Sequence, residues 1–131
     1  MKSIAVICIL TMIVVTSCSY CEDDSATNDG IDVQYRINVD EPIIAEVQYR
    51  NSQDQIIAIN LSGQNDTMWH RTEFVSSPFQ AYKSVKFLNV SNKPIDYTLR
   101  LFVDGTLVHT KAGSVLPESE SADQVQYSIL D

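Results

Sequence analysis

Cysteine is missing from almost the whole chain: Cys8, Cys18 and Cys21 lie near the start of 131 residues, and nothing beyond them carries a thiol. That excludes a disulfide framework and a thiolate metal site from everything that follows Cys21. Cations are also scarce. Nine Lys and Arg stand against 17 Asp and Glu, for a formal net charge of −8. Such a surface repels nucleic acid and anionic lipid headgroups. With four glycines in all, there is no glycine-rich loop of the kind that cradles phosphate. The two histidines, His70 and His109, stand alone, at no spacing that suggests metal ligation or a nucleophile–base pair. No stretch shows a helical period. No apolar run reaches the roughly 20 residues that span a bilayer.

The longest apolar run, Ile4 to Val15, follows a single cation, Lys2, and leads into Val15-Thr16-Ser17-Cys18. This order is that of a signal peptide. Its end resembles the bacterial lipobox, in which small residues let a peptidase reach extended backbone beside a cysteine that already carries a diacylglyceryl group. The expected division is a signal peptide over residues 1–17, a lipidated Cys18, a tether over 18–31 and one domain over 32–131. The competing reading is a eukaryotic secretory signal. It would make Asn60-Leu61-Ser62, Asn65-Asp66-Thr67 and Asn89-Val90-Ser91 glycan acceptors.

Ser19 to Gly30 is small, polar and acidic, with too little apolar surface to order itself. Its cluster Glu22, Asp23, Asp24 is similar to the export signal of surface lipoproteins in the Bacteroidetes group, and Asp24-Ser25-Ala26 and Asp66-Thr67-Met68 resemble that group's O-glycosylation acceptor. The expected location is the bacterial envelope, at the outer membrane.

From Ile31 on, the apolar period is two, which means strands. Val33, Tyr35, Ile37 and Val39 alternate with polar residues until Glu41-Pro42 turns the chain. A second strand, Ile43 to Arg50, directs Ala45, Val47 and Tyr49 to one face, and Asn51 to Asp54 joins it to Ile56–Leu61 as a hairpin. Thr67–Phe74 carries the only tryptophan. After Ser76-Ser77-Pro78, Ala81 to Val90 sets Ala81, Val85 and Phe87 against Lys83 and Lys86. Tyr97, Leu99, Leu101 and Val103 run into Asp104-Gly105, a two-residue turn that needs φ > 0 at both centres and pairs Val103 with Thr106 and Leu101 with Val108. A last strand carries Val125, Tyr127 and Ile129. The expectation is an all-β, immunoglobulin-like antiparallel sandwich of about seven strands.

Residues 32–130 resemble the MmpS-type small β-sandwich domain known from mycobacterial membrane proteins and from lipoproteins and secreted proteins of other bacteria. The likeness rests on Val47-Gln48-Tyr49-Arg50-Asn51-Ser52, on Thr67-Met68-Trp69-His70-Arg71-Thr72-Glu73-Phe74 and on the hairpin Leu99 to Val108. Mycobacterial members differ in having a cysteine pair in the last two strand regions, where this chain has Leu99 and no cysteine, and a transmembrane helix in place of a lipid. The resemblance implies a periplasmic-side accessory module, in the mycobacterial case beside a transporter that exports lipids or siderophores. It brings no catalytic residue with it.

Tyr35, Tyr49, Tyr97 and Tyr127 occupy inward positions of the pattern and read as core. For Trp69 the pattern leaves a choice. Thr67, Trp69 and Arg71 share one face, while Met68, His70 and Phe74 share the other. If the second set is inside, Trp69 and Arg71 form a candidate partner surface. His109 faces water if Val108 and Thr110 face inward. The functional expectation is a non-catalytic, lipid-anchored interaction or accessory module with a protein partner in the envelope, no cofactor, no metal and no nucleic acid. The alternative is a surface lipoprotein that binds a glycan or host protein.

Replacing Cys18 by Ala should release the protein from the membrane fraction or leave an unprocessed precursor. Unchanged metabolic labelling with a fatty-acid analogue in that variant would sink the assignment.

Overall fold

The computed structural model describes residues 30–130. The signal segment, Cys18, Cys21 and residues 19–29 lie outside the described residues. Eight strands follow one another: β1 (Ile31–Val39), β2 (Ile44–Arg50), β3 (Ile56–Asn60), β4 (Met68–Val75), β5 (Phe79–Asn89), β6 (Ile95–Val103), β7 (Thr106–Val115) and β8 (Ser119–Ile129). They form two packed antiparallel sheets, ordered β4-β1-β6-β7 and β3-β2-β5-β8. The fold is therefore an all-β sandwich. Where sequence alone suggested about seven strands, there are eight. The chain from 106 to 129 makes two long strands on different sheets, and the polar stretch around Pro117–Ser121 is only their short link.

The pairing register puts residues 30–31, 51–55, 76–78, 104–105 and 130 at one end of the sandwich, which we term the entry end. Alternation places Val33, Tyr35 and Ile37 wholly inside on β1, and Leu99 and Leu101 wholly inside on its neighbour β6. Two apolar clusters result. Ile37, Val47, Val85, Phe87 and Leu99 belong to the cluster away from the entry end; Val33, Tyr35, Tyr49, Phe79 and Leu101 belong to the cluster near it. Trp69 and Ile59, on the edge strands β4 and β3, pack against both.

Several expectations need correction. Ala45 does not take the inward position on β2: the ladder with β5 shifts between Ile44 and Glu46, so Ala45 is the bulged residue and Ile44 is buried instead. Lys83 is not at a wet position. It shares parity with Ala81 and Val85 and is fully buried between them. In the last hairpin Val103 does pair with Thr106, but a bulge between Leu101 and Phe102 brings His109, not Val108, opposite Leu101. The extra residue turns both Val108 and His109 half inside, so His109 is not a freely exposed strand histidine. Tyr35, Tyr49 and Tyr97 are core residues, whereas Tyr127 is 38% exposed. Tyr127 lies on β8, the edge of its sheet, where no further strand covers it.

The turn between β6 and β7 has φ of 49° at Asp104 and 81° at Gly105, the pair of positive angles that such a two-residue hairpin needs. It is tied back to β1, since the Asp104 N–H donates to Asp32 O (2.8 Å) and the Asp32 N–H to Asp104 Oδ1 (2.9 Å). Further along the hairpin Tyr97 pairs with Gly113 and its ring lies over that glycine. The same ring stacks on Phe87 at 4.4 Å, and its hydroxyl donates to Asp123 Oδ2 at 2.7 Å. Lys111 pairs with the other oxygen of Asp123 at 2.5 Å. The edges β7 and β8 are thus joined across the layers. Burial and the bond to Asp123 push the Tyr97 hydroxyl up to about 12. Burial raises the Asp123 carboxyl, but Lys111, Tyr97 and the Gln124 amide outweigh it and hold the group below the usual carboxylate range.

Two glycines should therefore fail for different reasons. Gly105→Val should lower the melting temperature through backbone strain alone, about 1 kcal/mol or more, because nothing lies within 4 Å of the added Cβ. Gly113→Ala should destabilise by collision, since its Cβ would sit 2.5 Å from Tyr97 Oη. Replacing Tyr97 by Leu in that background should remove much of the Gly113 penalty and none of the Gly105 penalty, measured by thermal unfolding.

Candidate anion-binding face

Alternation that buries Tyr35, Ile37, Leu99 and Leu101 necessarily turns Arg36 and Arg100 outward. The register then makes them direct partners. Arg36 of β1 lies opposite Arg100 of β6 on one side and opposite His70 of β4 on the other, while Arg100 lies opposite Thr110 of β7. One row across the outer face of this sheet is therefore His70, Arg36, Arg100, Thr110. Like charges directly opposite each other destabilise a sheet. Every neighbour one register step away is neutral: Gln34, Asn38, Thr72, Met68, Thr98 and Phe102 around the arginines carry no carboxylate.

This is unusual for the molecule. Among the described residues Arg50, Arg71, Lys86, Lys93 and Lys111 each pair with a carboxylate within 4 Å, and Lys83 is buried. Arg36 and Arg100 are the two outward cations left without one. The Arg36 guanidinium stacks over the Phe102 ring at 4.7 Å and donates from Nη2 to Gln34 Oε1 at 2.9 Å. Arg100 reaches only Asn38 Oδ1, at 3.5 Å. Neutral amides orient the two heads without neutralising them, and most of the five N–H donors of each stay available.

Beneath the row lies a buried lysine. Lys83 Nζ crosses the interior from β5 and donates to the backbone carbonyls of Arg36 (2.5 Å) and Arg100 (2.9 Å). Its partners are thus the same two residues whose side chains bear the outer charges. Burial drives the Lys83 amine down to about 7.

The sequence offers Trp69 and Arg71 as a partner surface only if Met68 and Phe74 lie inside, whereas the family resemblance implies a core Trp69. Met68 and Phe74 are 51% and 69% exposed, so Trp69 takes the inner face. It contacts the Tyr49 ring at 5.6 Å, which in turn lies 5.8 Å from Tyr35. Arg71 sits 5.6 Å over Tyr49 and pairs at 2.8 Å with Glu73, a nearly buried carboxylate that also accepts the Ser52 N–H at 2.7 Å. Charge and ring are both engaged there. His70 lies on the arginine row, whereas His109 sits toward the interior side of β7, so the structure does not bring the histidines together. Among the described residues no three of His, Cys, Asp and Glu converge as metal ligands. A hollow of about 550 Å³ opens at the entry end between Arg50, Asp54, Phe74, Phe79, Gln80 and Leu130, where the Arg50–Asp54 pair already balances the charge. The chain matches no known protein family and no curated protein.

Lys83 makes stability depend on pH with a defined sign. Below about pH 7 folded and unfolded chains both hold its proton; between there and 10.5 only the unfolded chain does, so stability rises with pH. Tyr35, pushed up by burial to about 12, and Tyr97 act oppositely, keeping protons that the unfolded chain sheds above 10. The melting temperature should climb from neutral pH and turn over near pH 10. Lys83→Met should abolish the climb; an unchanged profile in that variant would show that the ammonium is not the titrating group.

Proposed function

We propose that this chain is a lipid-anchored protein of the bacterial envelope whose sandwich serves as a non-catalytic interaction module, with the outer face of β4-β1-β6-β7 as its contact surface for an acidic partner. The observation that carries this reading is the Arg36–Arg100 pair, two adjacent cations with no carboxylate partner among the described residues, in a molecule of net charge −8. In a fold rich in acids, an unneutralised pair costs stability that any neighbouring Asp or Glu would recover. An external anion supplies the missing charge. Anchoring follows from the lipobox and the short apolar run before Cys18. The MmpS-type resemblance agrees with an accessory role in which the domain binds and does not transform.

A photo-crosslinking residue at Thr110, on this face, should capture an envelope component in intact cells, and Arg36→Gln with Arg100→Gln should abolish the capture. The same residue at Gln126, outward on the other sheet, should give none. Equal yields at both positions, or capture indifferent to the arginines, would remove the face from consideration.

A further inference from the structure

We infer that the Arg36–Arg100 face is a binding site for an acidic polysaccharide, a polymer of hydroxyl-rich units with a carboxylate or sulfate group at intervals. The inference rests on the reading of this face as the contact surface and adds what the ligand is. Three features select it. First, among the described residues only two outward cations lack a carboxylate partner, and the chain as a whole is acidic, so a densely charged polyanion such as nucleic acid meets stronger net repulsion than a sparsely charged one. Second, the two heads diverge along the strands: Arg36 leans to Gln34 and Phe102, one step toward the entry end, and Arg100 leans to Asn38, one step away from it. Separate guanidinium heads suit anionic groups spaced along a chain better than a single ion. Third, most residues around them are amides and hydroxyls, namely Gln34, Asn38, Thr72, Thr98 and Thr110, with Met68 and Phe102 the apolar exceptions. The amides and hydroxyls donate to and accept from sugar hydroxyls.

Rigidity favours the assignment. Lys83 fastens the carbonyls of both arginines from below, so the backbone that presents the two charges is held by the opposite sheet. A preformed surface gives up little entropy when an extended chain settles on it.

The test titrates the full chain in non-ionic detergent with hyaluronate, whose carboxylates stand on alternate sugars, and with dextran sulfate, neutral dextran and poly-glutamate, following the backbone amide signals of Gln34 to Asn38 and Thr98 to Thr110. Hyaluronate should shift these signals, neutral dextran should not, and the densely charged dextran sulfate and poly-glutamate should each bind at least about tenfold more weakly. Arg36→Gln and Arg100→Gln should each weaken polysaccharide binding about tenfold, as loss of one charged hydrogen-bonding group implies. Lys86→Gln, which removes the same charge from the outer face of the other sheet, should leave affinity unchanged. Because relieving the repulsion does not harm the fold, both arginine variants should melt at or above the parent temperature. Tighter binding of poly-glutamate, still lost with the arginines, would overturn the polysaccharide while keeping the face. Failure of every polymer to shift these signals, or shifts indifferent to Arg36 and Arg100, would overturn the face itself.

Discussion

A lysine ammonium in the middle of a hydrophobic sandwich is the constraint around which the other parts are arranged. Lys83 enters from β5 between Ala81 and Val85, residues that belong to different apolar clusters, so the charged side chain marks the level at which the core divides. A buried amine has to be hydrogen-bonded or neutral. Here two backbone carbonyls of the opposite sheet accept from it, which joins the layers by polar contacts where an apolar core would rely on packing alone. The tyrosines do similar work near the entry end. The Tyr35 hydroxyl, deep inside, donates to Arg50 O at 2.9 Å and accepts the Tyr82 N–H at 3.4 Å, again linking one sheet to the other.

The same geometry explains why the outer arginines stand where they do. Carbonyls that receive Lys83 belong to residues whose side chains point away from it, so a bond from the interior to Arg36 and Arg100 coincides with two outward charges directly above. Interior and surface are coupled through a single layer of backbone. The edges are closed differently on the two sides. At β7 and β8 the closure is ionic, through Tyr97, Asp123 and Lys111; at β3 and β4 it is aromatic, through Trp69 against both clusters, with Glu73 holding Arg71 and the Ser52 amide. An inward charge such as Glu73 on an edge strand also discourages pairing with another chain.

Much of the fold was legible from residues one at a time. A period of two gave β1 and β6 their inner faces, and Asp104-Gly105 announced its hairpin because few other residue pairs tolerate two positive φ angles. What misled was local: a one-residue bulge reverses every face beyond it, and nothing in Ile44-Ala45-Glu46 or Phe102 to His109 announces one. Residue type suggests a wet Lys83, whereas its parity with Ala81 and Val85 puts it inside.

Sequence by itself determined that the chain beyond Cys21 is cysteine-free and folds as strands alone, because alternation, turn chemistry and composition act through neighbours along the chain. It also determined that Arg36 and Arg100 face outward, since each is flanked by core residues. Only the tertiary structure decided that those arginines stand side by side, that no carboxylate of the described residues reaches them and that Lys83 lies underneath. These are facts of strand register and sheet order between segments more than sixty positions apart, and no local pattern encodes which strands become neighbours.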